Sequence, residues 1–221
     1  MNFQVGSAPR SIEITDLVIA GWTGRDTASV EKHIAELEAI GVKRPRAVPV
    51  FYRVAAGLLT TAREVEVVGG DSSGEVEFVL VSAPDGMYVG VGSDHTDRKV
   101  ETYGVTVSKQ MCAKPIGAEL WALAEVEAHW DRLVLRSHVT RGGKRRLYQE
   151  GAVSQMLAPR DLLARRSPGA ALAPGTAMFC GTLAVRGAIG GGERFEIELH
   201  DPVRNRSLRH EYAVRELAVA D

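Results

Sequence analysis

The sequence predicts a β-rich α+β fold, and three observations lead there. Short apolar or alternating runs bounded by turn residues recur at 64–68, 76–81, 87–91, 133–139, 195–200 and 207–214. Only a few stretches, about 28–40, 118–133 and 151–166, carry a helical stripe or helical composition. Twenty-three glycines against 6% aromatic residues fit many turns and short strands. A chain of 221 residues, 45% hydrophobic and 25% charged, suits one compact domain with a real core. Within it, 1–62 reads as an N-terminal strand and lid-helix segment and 63–221 as the β-rich core.

Taken in order, residues 11–20 begin with alternation and read as a first strand. Gly21-Trp22-Thr23-Gly24-Arg25 is a loop, Asp26 or Thr27 can cap the following helix, and Gly41 stops it. That helix has the stripe Val30, Ile34, Leu37 and Ile40. At 100° per residue His33 falls inside the stripe, with Glu36 one turn on. Such a pair suits a general acid/base whose ring a carboxylate orients, or a core histidine that Glu36 merely satisfies.

Glu75 and Glu77 lie two apart at the head of the run 76–81. Side chains at i and i+2 share one face of a strand, roughly 6.5–7 Å apart. Val79 and Val81 continue that face, and Val76, Phe78 and Leu80 line the other, so the strand reads as buried. Two ionised carboxylates there repel and lose hydration. A divalent cation compensates, and carboxylate oxygens suit Mg²⁺, Mn²⁺ or Ca²⁺. Alternatively the glutamates sit on a solvated edge. Pro84-Asp85-Gly86 turns the chain back through 87–91 to Asp94, which can close the space beside the glutamates or serve an Asx-turn and a helix cap. His95 and Asp97 are alternative ligands or turn-shaping residues.

Downstream, 103–115 reads as a loop, and Pro115 precedes an amphipathic helix over about 118–133 with the stripe Leu120, Leu123, Val126, Trp130 and Leu133, Trp121 and Trp130 being packing residues. Arg141–Arg146 is a basic hairpin tip, and 151–166 is helical with Pro159 starting a new turn. Gly187–Gly192 is no phosphate loop, since no Gly-Lys-Ser/Thr follows it. Cys112 and Cys180 are too few for a disulfide framework; Cys180 lies in an apolar run and reads as core, and Cys112 has no evident basic partner to activate it as a nucleophile.

These motifs, in this order, resemble the fumarylacetoacetate hydrolase superfamily. Its members carry an H-x-x-E/Q helix, matched by His33-Ile34-Ala35-Glu36, then a Pro-rich stretch, matched from Pro45 to Arg53. An E-x-E strand (Glu75-Val76-Glu77), a G-x-D-x-S/T-x-R turn (Gly92 to Arg98) and Lys109 follow, and a Gly-Thr after a P-G strand is matched by Gly181-Thr182. More closely the chain is similar to a bacterial branch of that superfamily described as a domain of unknown function. The resemblance implies a mixed β-sandwich roll with a few helices, commonly a homodimer. It implies that Glu75, Glu77 and Asp94 hold Mg²⁺ or Mn²⁺. It implies further that Lys109, Arg53, Arg98, Gln110, Gly181 and Thr182 face a small oxo-acid, and that His33–Glu36 sits on a mobile lid and activates water for C–C hydrolysis. Decarboxylation, hydration or non-catalytic binding of a small acid are the alternatives. Departures from the pattern are Arg53 for a Lys, Cys180 for a Thr, Leu183 for a Pro, and a short Glu77-to-Asp94 spacing that omits a small helix.

A net charge of -1 gives no basic field for nucleic acid or an anionic membrane. No apolar run approaches the roughly 18 residues of a span. Met1-Asn2-Phe3-Gln4 lacks the basic flank and apolar region of a signal peptide, so a cytoplasmic protein is expected.

Overall fold

The computed structural model describes residues 1–39, 44–167, 169 and 171–220, without the side chains of residues 33, 36, 37 and 39. Two sheets carry the fold. The larger runs, in spatial order, through Ala8–Ser11, Asn2–Val5, Glu119–Ala122, Gly86–Ser93, Val76–Ala83, Thr176–Phe179, Asp16–Gly21 and Val50–Val54. The smaller runs through Lys144–Ala152, Val134–Arg141, Arg194–Asp201, Arg206–Leu217 and Glu64–Val68. Both sheets mix parallel and antiparallel pairs, which makes the expected mixed roll of strands with few helices.

Alternation along Val76–Ala83 divides the core. Val76, Phe78 and Leu80 join Leu135, Ile197, Leu199 and Leu208 between the two sheets. Val79 and Val81 turn the other way, onto Phe3, Leu17, Ile19, Ile116, Leu120 and Phe179. Every residue of the strand is buried, so neither face is left to water.

Its partner Gly86–Ser93 returns through a two-residue turn, with Ala83 opposite Gly86, Glu77 opposite Gly92 and Val76 opposite Ser93. The Arg141–Lys144 hairpin closes on Gly142 and Gly143, both at positive φ (55° and 72°), the conformation a type I′ turn demands. Asp26 caps the Thr27–Ala39 helix by accepting from Ala28 N (3.1 Å) and Ser29 Oγ (2.6 Å).

Four elements differ from expectation. The stretch 118–133 is no continuous helix: Glu119–Ala122 is a strand, followed by a short helix (Leu123–Val126) and a 3₁₀ segment (Glu127–Arg132). Leu120 fits a helical stripe, yet it and Trp121 point into opposite cores because the segment pairs with Asn2–Val5 and Gly86–Ser93. Residues 151 and 152 still belong to a strand, Val153–Gln155 is 3₁₀, and only Pro159–Arg166 is α-helical. The first strand divides into Ala8–Ser11 and Asp16–Gly21, pairing at opposite ends of the larger sheet. Residues 103–115, expected as a loop, hold the Val105–Met111 helix, whose last turn carries Lys109. No helix among the described residues is long and apolar enough to cross a membrane.

Phe78 packs edge-on against Trp130 with ring centroids 4.9 Å apart, and no part of it is exposed. Phe78→Ala is expected to lower the free energy of urea unfolding by about 3–5 kcal/mol, through lost transfer energy and the cavity left behind.

Candidate metal centre

The hairpin register assembles the acidic cluster. Glu77 faces Gly92 across the strand pair, and one step beyond the last pair Asp94 N donates to Glu75 O (3.0 Å). The missing small helix therefore does not separate Asp94 from the glutamates, because a direct hairpin returns it to their level. One carboxylate oxygen from each of Glu75, Glu77 and Asp94 lies within 4.8 Å of the others. Glu77 and Asp94 are buried, whereas the Glu75 side chain keeps 18% of its surface.

Cationic side chains surround these acids. Lys109, on the helix of 105–111, pairs closely with Asp94 Oδ2 and lies 3.7 Å from Glu75. Lys114 Nζ lies 2.9 Å from Asp94 Oδ1 and donates to His95 O. Arg98 sits 3.1 Å from Glu75 and from Glu101, and donates to Ser73 Oγ (2.7 Å). The charge compensation that a sequence argument leaves to a cation is thus met in part by Lys109, Lys114 and Arg98.

Lys114 escaped the sequence reading. Its signal was a lone lysine within Met111-Cys112-Ala113-Lys114-Pro115-Ile116, an apolar run in which a charge needs a partner.

The three acids respond differently to this setting. Burial, with the charges of Asp94 and Glu75, raises the Glu77 carboxyl well above its usual range; Lys109 and the Gly181 N–H pull only weakly the other way. Burial opposes the Asp94 charge too, but Lys109 and Lys114 outweigh it and hold that carboxyl below its usual range. Lys109 is raised, because Asp94 and Glu75 overcome its burial. Asp94 Oδ1 is buried and faces Lys114 Nζ at 2.9 Å, with no further donor among the described residues. Three carboxylates that converge one oxygen each, an all-oxygen donor set, fit a hard divalent cation.

Beneath the cluster the polar groups are fully used. Glu75 N donates to Ser93 Oγ (3.1 Å), which meets Tyr212 Oη at 2.8 Å; Tyr212 Oη meets His95 Nδ1 at 3.0 Å. His95 Nε2 meets Ser72 Oγ at 2.9 Å. His95 is therefore engaged through both ring nitrogens, and burial, then the charges of Lys114 and Arg98, lower it to about 3. Asp97 caps the Arg98–Tyr103 helix by accepting from Val100 N.

On the other side Gly181 N donates to Glu77 Oε2 (2.6 Å). Gly181 has φ 98°, and a Cβ there would lie 1.7 Å from Thr23 Oγ1, so only glycine fits. The Thr182 hydroxyl donates to Val76 O (2.8 Å) and accepts from Gln149 Nε2 (2.8 Å).

The structure thus brings Glu75, Glu77, Asp94, Lys109, Arg98 and Gly181 together. Thr182 adjoins them with its hydroxyl engaged. Gln110 accepts from Ala55 N (2.9 Å) and so ties its helix to the edge of the larger sheet. Arg53 is not brought to the cluster: it pairs with Asp16, largely exposed, because strand alternation gives the site-facing position to Tyr52. The side chains of His33 and Glu36 lie outside the described residues.

The architecture is that of the fumarylacetoacetate hydrolase proteins. It superposes on yeast ynq8, a fumarylacetoacetate hydrolase family protein, with a TM-score of 0.67 at 16% identity, covering 92% of this chain and 93% of that one. It is also similar to 2-hydroxyhepta-2,4-diene-1,7-dioate isomerase from Mycobacterium marinum (TM-score 0.63, 16% identity, 93% and 76% covered). A third likeness is to 5-carboxymethyl-2-hydroxymuconate delta-isomerase from Mycobacterium smegmatis (TM-score 0.63, 14% identity, 93% and 78% covered). The chain belongs to the family described as protein of unknown function (DUF2848), whose model matches residues 20–212. No curated protein matches the chain.

The raised Glu77 carboxyl has a stability consequence. Below its ordinary value of 4.5 both folded and unfolded states hold the proton. As pH rises, the unfolded chain releases it while the fold resists, so stability is lost through the folded-state titration. Glu77→Gln never ionises and still accepts from Gly181 N. In EDTA its Tm is expected to exceed that of wild type near neutral pH, with the gap closing toward about pH 4.

Proposed function

We propose that this protein is a divalent-metal-dependent enzyme that hydrolyses a carbon–carbon bond in a small oxo-acid of the acylpyruvate type. The observation that carries the reading is the convergence of three carboxylate oxygens within 4.8 Å beside a lysine. Glu75, Glu77 and Asp94 would hold Mg²⁺ or Mn²⁺, which supplies a Lewis acid for enolate-like charge. Arg98 keeps Glu75 aimed, and the Gly181 N–H does the same for Glu77. Lys109, 3.7 Å from partly exposed Glu75, offers its ammonium to the acid group of the substrate. His33 takes a proton from water and Glu36 orients its ring, roles that rest on the H-x-x-E motif. By name, two proteins of the same fold are isomerases of unsaturated hydroxy-acids, and oxo-acid chemistry here is consistent with them.

Asp94 is already offset by Lys109 and Lys114, and this favours a second reading, a protein that binds a small acid without turnover.

Calorimetric titration with Mn²⁺ separates the two. Wild type is expected to bind in the micromolar-to-millimolar range. Glu77→Gln and Asp94→Asn are each expected to weaken binding by at least about tenfold, which is about 1.4 kcal/mol. No Mn²⁺ binding, or binding indifferent to both substitutions, would leave the small-acid-binding reading in its place. In the enzyme, His33→Ala is expected to keep Mn²⁺ affinity while kcat on acylpyruvates falls by about 100-fold or more, measured by loss of enol absorbance.

A further inference from the structure

Contacts run in a closed ring around the acidic cluster, and two aromatic residues complete it. From Glu77 the ring passes to Gly181, whose N–H it accepts (2.6 Å), and then to Thr23, against which Gly181 is packed. Thr23 Oγ1 donates to Cys180 O (2.9 Å), and Leu157 N donates to Thr23 O (2.8 Å), so this loop is fastened from two sides. Its neighbour Trp22 hydrogen-bonds the Tyr52 hydroxyl. The Tyr52 ring lies 5.9 Å from Lys109 Nζ, and Lys109 pairs with Asp94 and Glu75, which closes the ring.

Two features set this pair apart from ordinary packing. Trp22 has φ 60°, in the left-handed region where a bulky residue is a genuine outlier. Such strain persists where the surroundings enforce it, and it concentrates at ligand sites. Gly21 is also needed beside it, since a Cβ there would lie 2.9 Å from the Tyr52 ring. Moreover, Trp22 donates to the Tyr52 hydroxyl, which ties the two aromatic side chains to one another.

We infer that Trp22 and Tyr52 form the subsite for the acyl group of the substrate, and that this group is flat and apolar, as in an aroylpyruvate. The inference rests on the proposed reading of the cluster. With its acid head on Lys109, the remainder of a 2,4-dioxo acid extends over the Tyr52 ring that lies beside the same ammonium. Offset or edge-on contact with an aromatic group then adds affinity that a methyl group does not.

The test is calorimetry on Mn²⁺-loaded protein in which His33→Ala suppresses turnover, with residues 22 and 52 either wild type or substituted, and with three probes: oxalate, which has only the acid head, acetylpyruvate and benzoylpyruvate. Oxalate calibrates the head site in each variant. Wild type is expected to bind benzoylpyruvate about tenfold or more tightly than acetylpyruvate. The ratio is expected to fall to within about twofold in Tyr52→Ala and to persist in Tyr52→Phe, which keeps the ring. Trp22→Gly, whose backbone suits a φ of 60°, removes the other half of the subsite and is expected to lower the ratio as well, so either variant decides. Oxalate binding with a ratio near one in wild type, or a ratio that survives both Tyr52→Ala and Trp22→Gly, overturns the inference alone. Failure to bind Mn²⁺, or Mn²⁺ binding without oxalate binding, overturns the reading of the cluster and the subsite with it.

Discussion

Asp94 is wholly buried between two lysines, and much of the region is arranged around that constraint. An isolated carboxylate at that depth would take up a proton, because desolvation penalises its charged form by far more than folding can spare. Lys109 and Lys114 reverse the balance. They arrive from the Val105–Met111 helix and the short strand after it, so helix, strand and hairpin must all be in place for the charge to survive. Glu77 makes no ion pair among the described residues, and burial with the charges of Asp94 and Glu75 outweighs the pull of Lys109 and pushes it toward its protonated form.

The strand that bears Glu77 serves two purposes through one geometric fact. Successive side chains alternate, so Val76, Phe78 and Leu80 fill the space between the sheets while Glu77 shares the other face with Val79 and Val81. Glu77 is therefore anchored by a fully buried strand, with Glu75 just before that strand and Asp94 just after its hairpin partner. Gln149 adds to that rigidity. It accepts from Val76 N and donates to Thr182 Oγ1 and Leu183 O, fastening the strand to the segment that carries the Gly181 N–H.

Much of the fold was legible because strands announce themselves by alternation. Glu64–Val68, Val76–Ala83, Gly86–Ser93, Arg194–Asp201 and Arg206–Leu217 lie where the pattern puts them. Where periodicity failed, it failed for a physical reason. Leu120, Leu123, Val126 and Trp130 match a helical period, but Glu119–Ala122 gains more by filling a gap between two strands than by forming its own hydrogen bonds. The candidate site was legible in its charged residues and much less so in their partners. Lys114 and the links among Ser72, His95, Tyr212 and Ser93 join residues far apart in the chain, and nothing local reveals such pairing. Arg53 illustrates the converse, a charge noticed in the sequence that one step of strand alternation directs to Asp16.

By itself the sequence determined the strand pattern, the spacing that sets Glu75 and Glu77 two residues apart, and the two-residue turn that returns the chain to Asp94. These are local properties, fixed by period-two alternation and by what Pro84, Asp85 and Gly86 allow. Only the tertiary structure decided which cations answer the carboxylates, that His95 is engaged through both ring nitrogens, and that the Tyr52 ring stands beside Lys109. Those outcomes depend on burial and on charge at distances of a few ångströms. Both quantities exist only once segments separated by tens of residues have packed together.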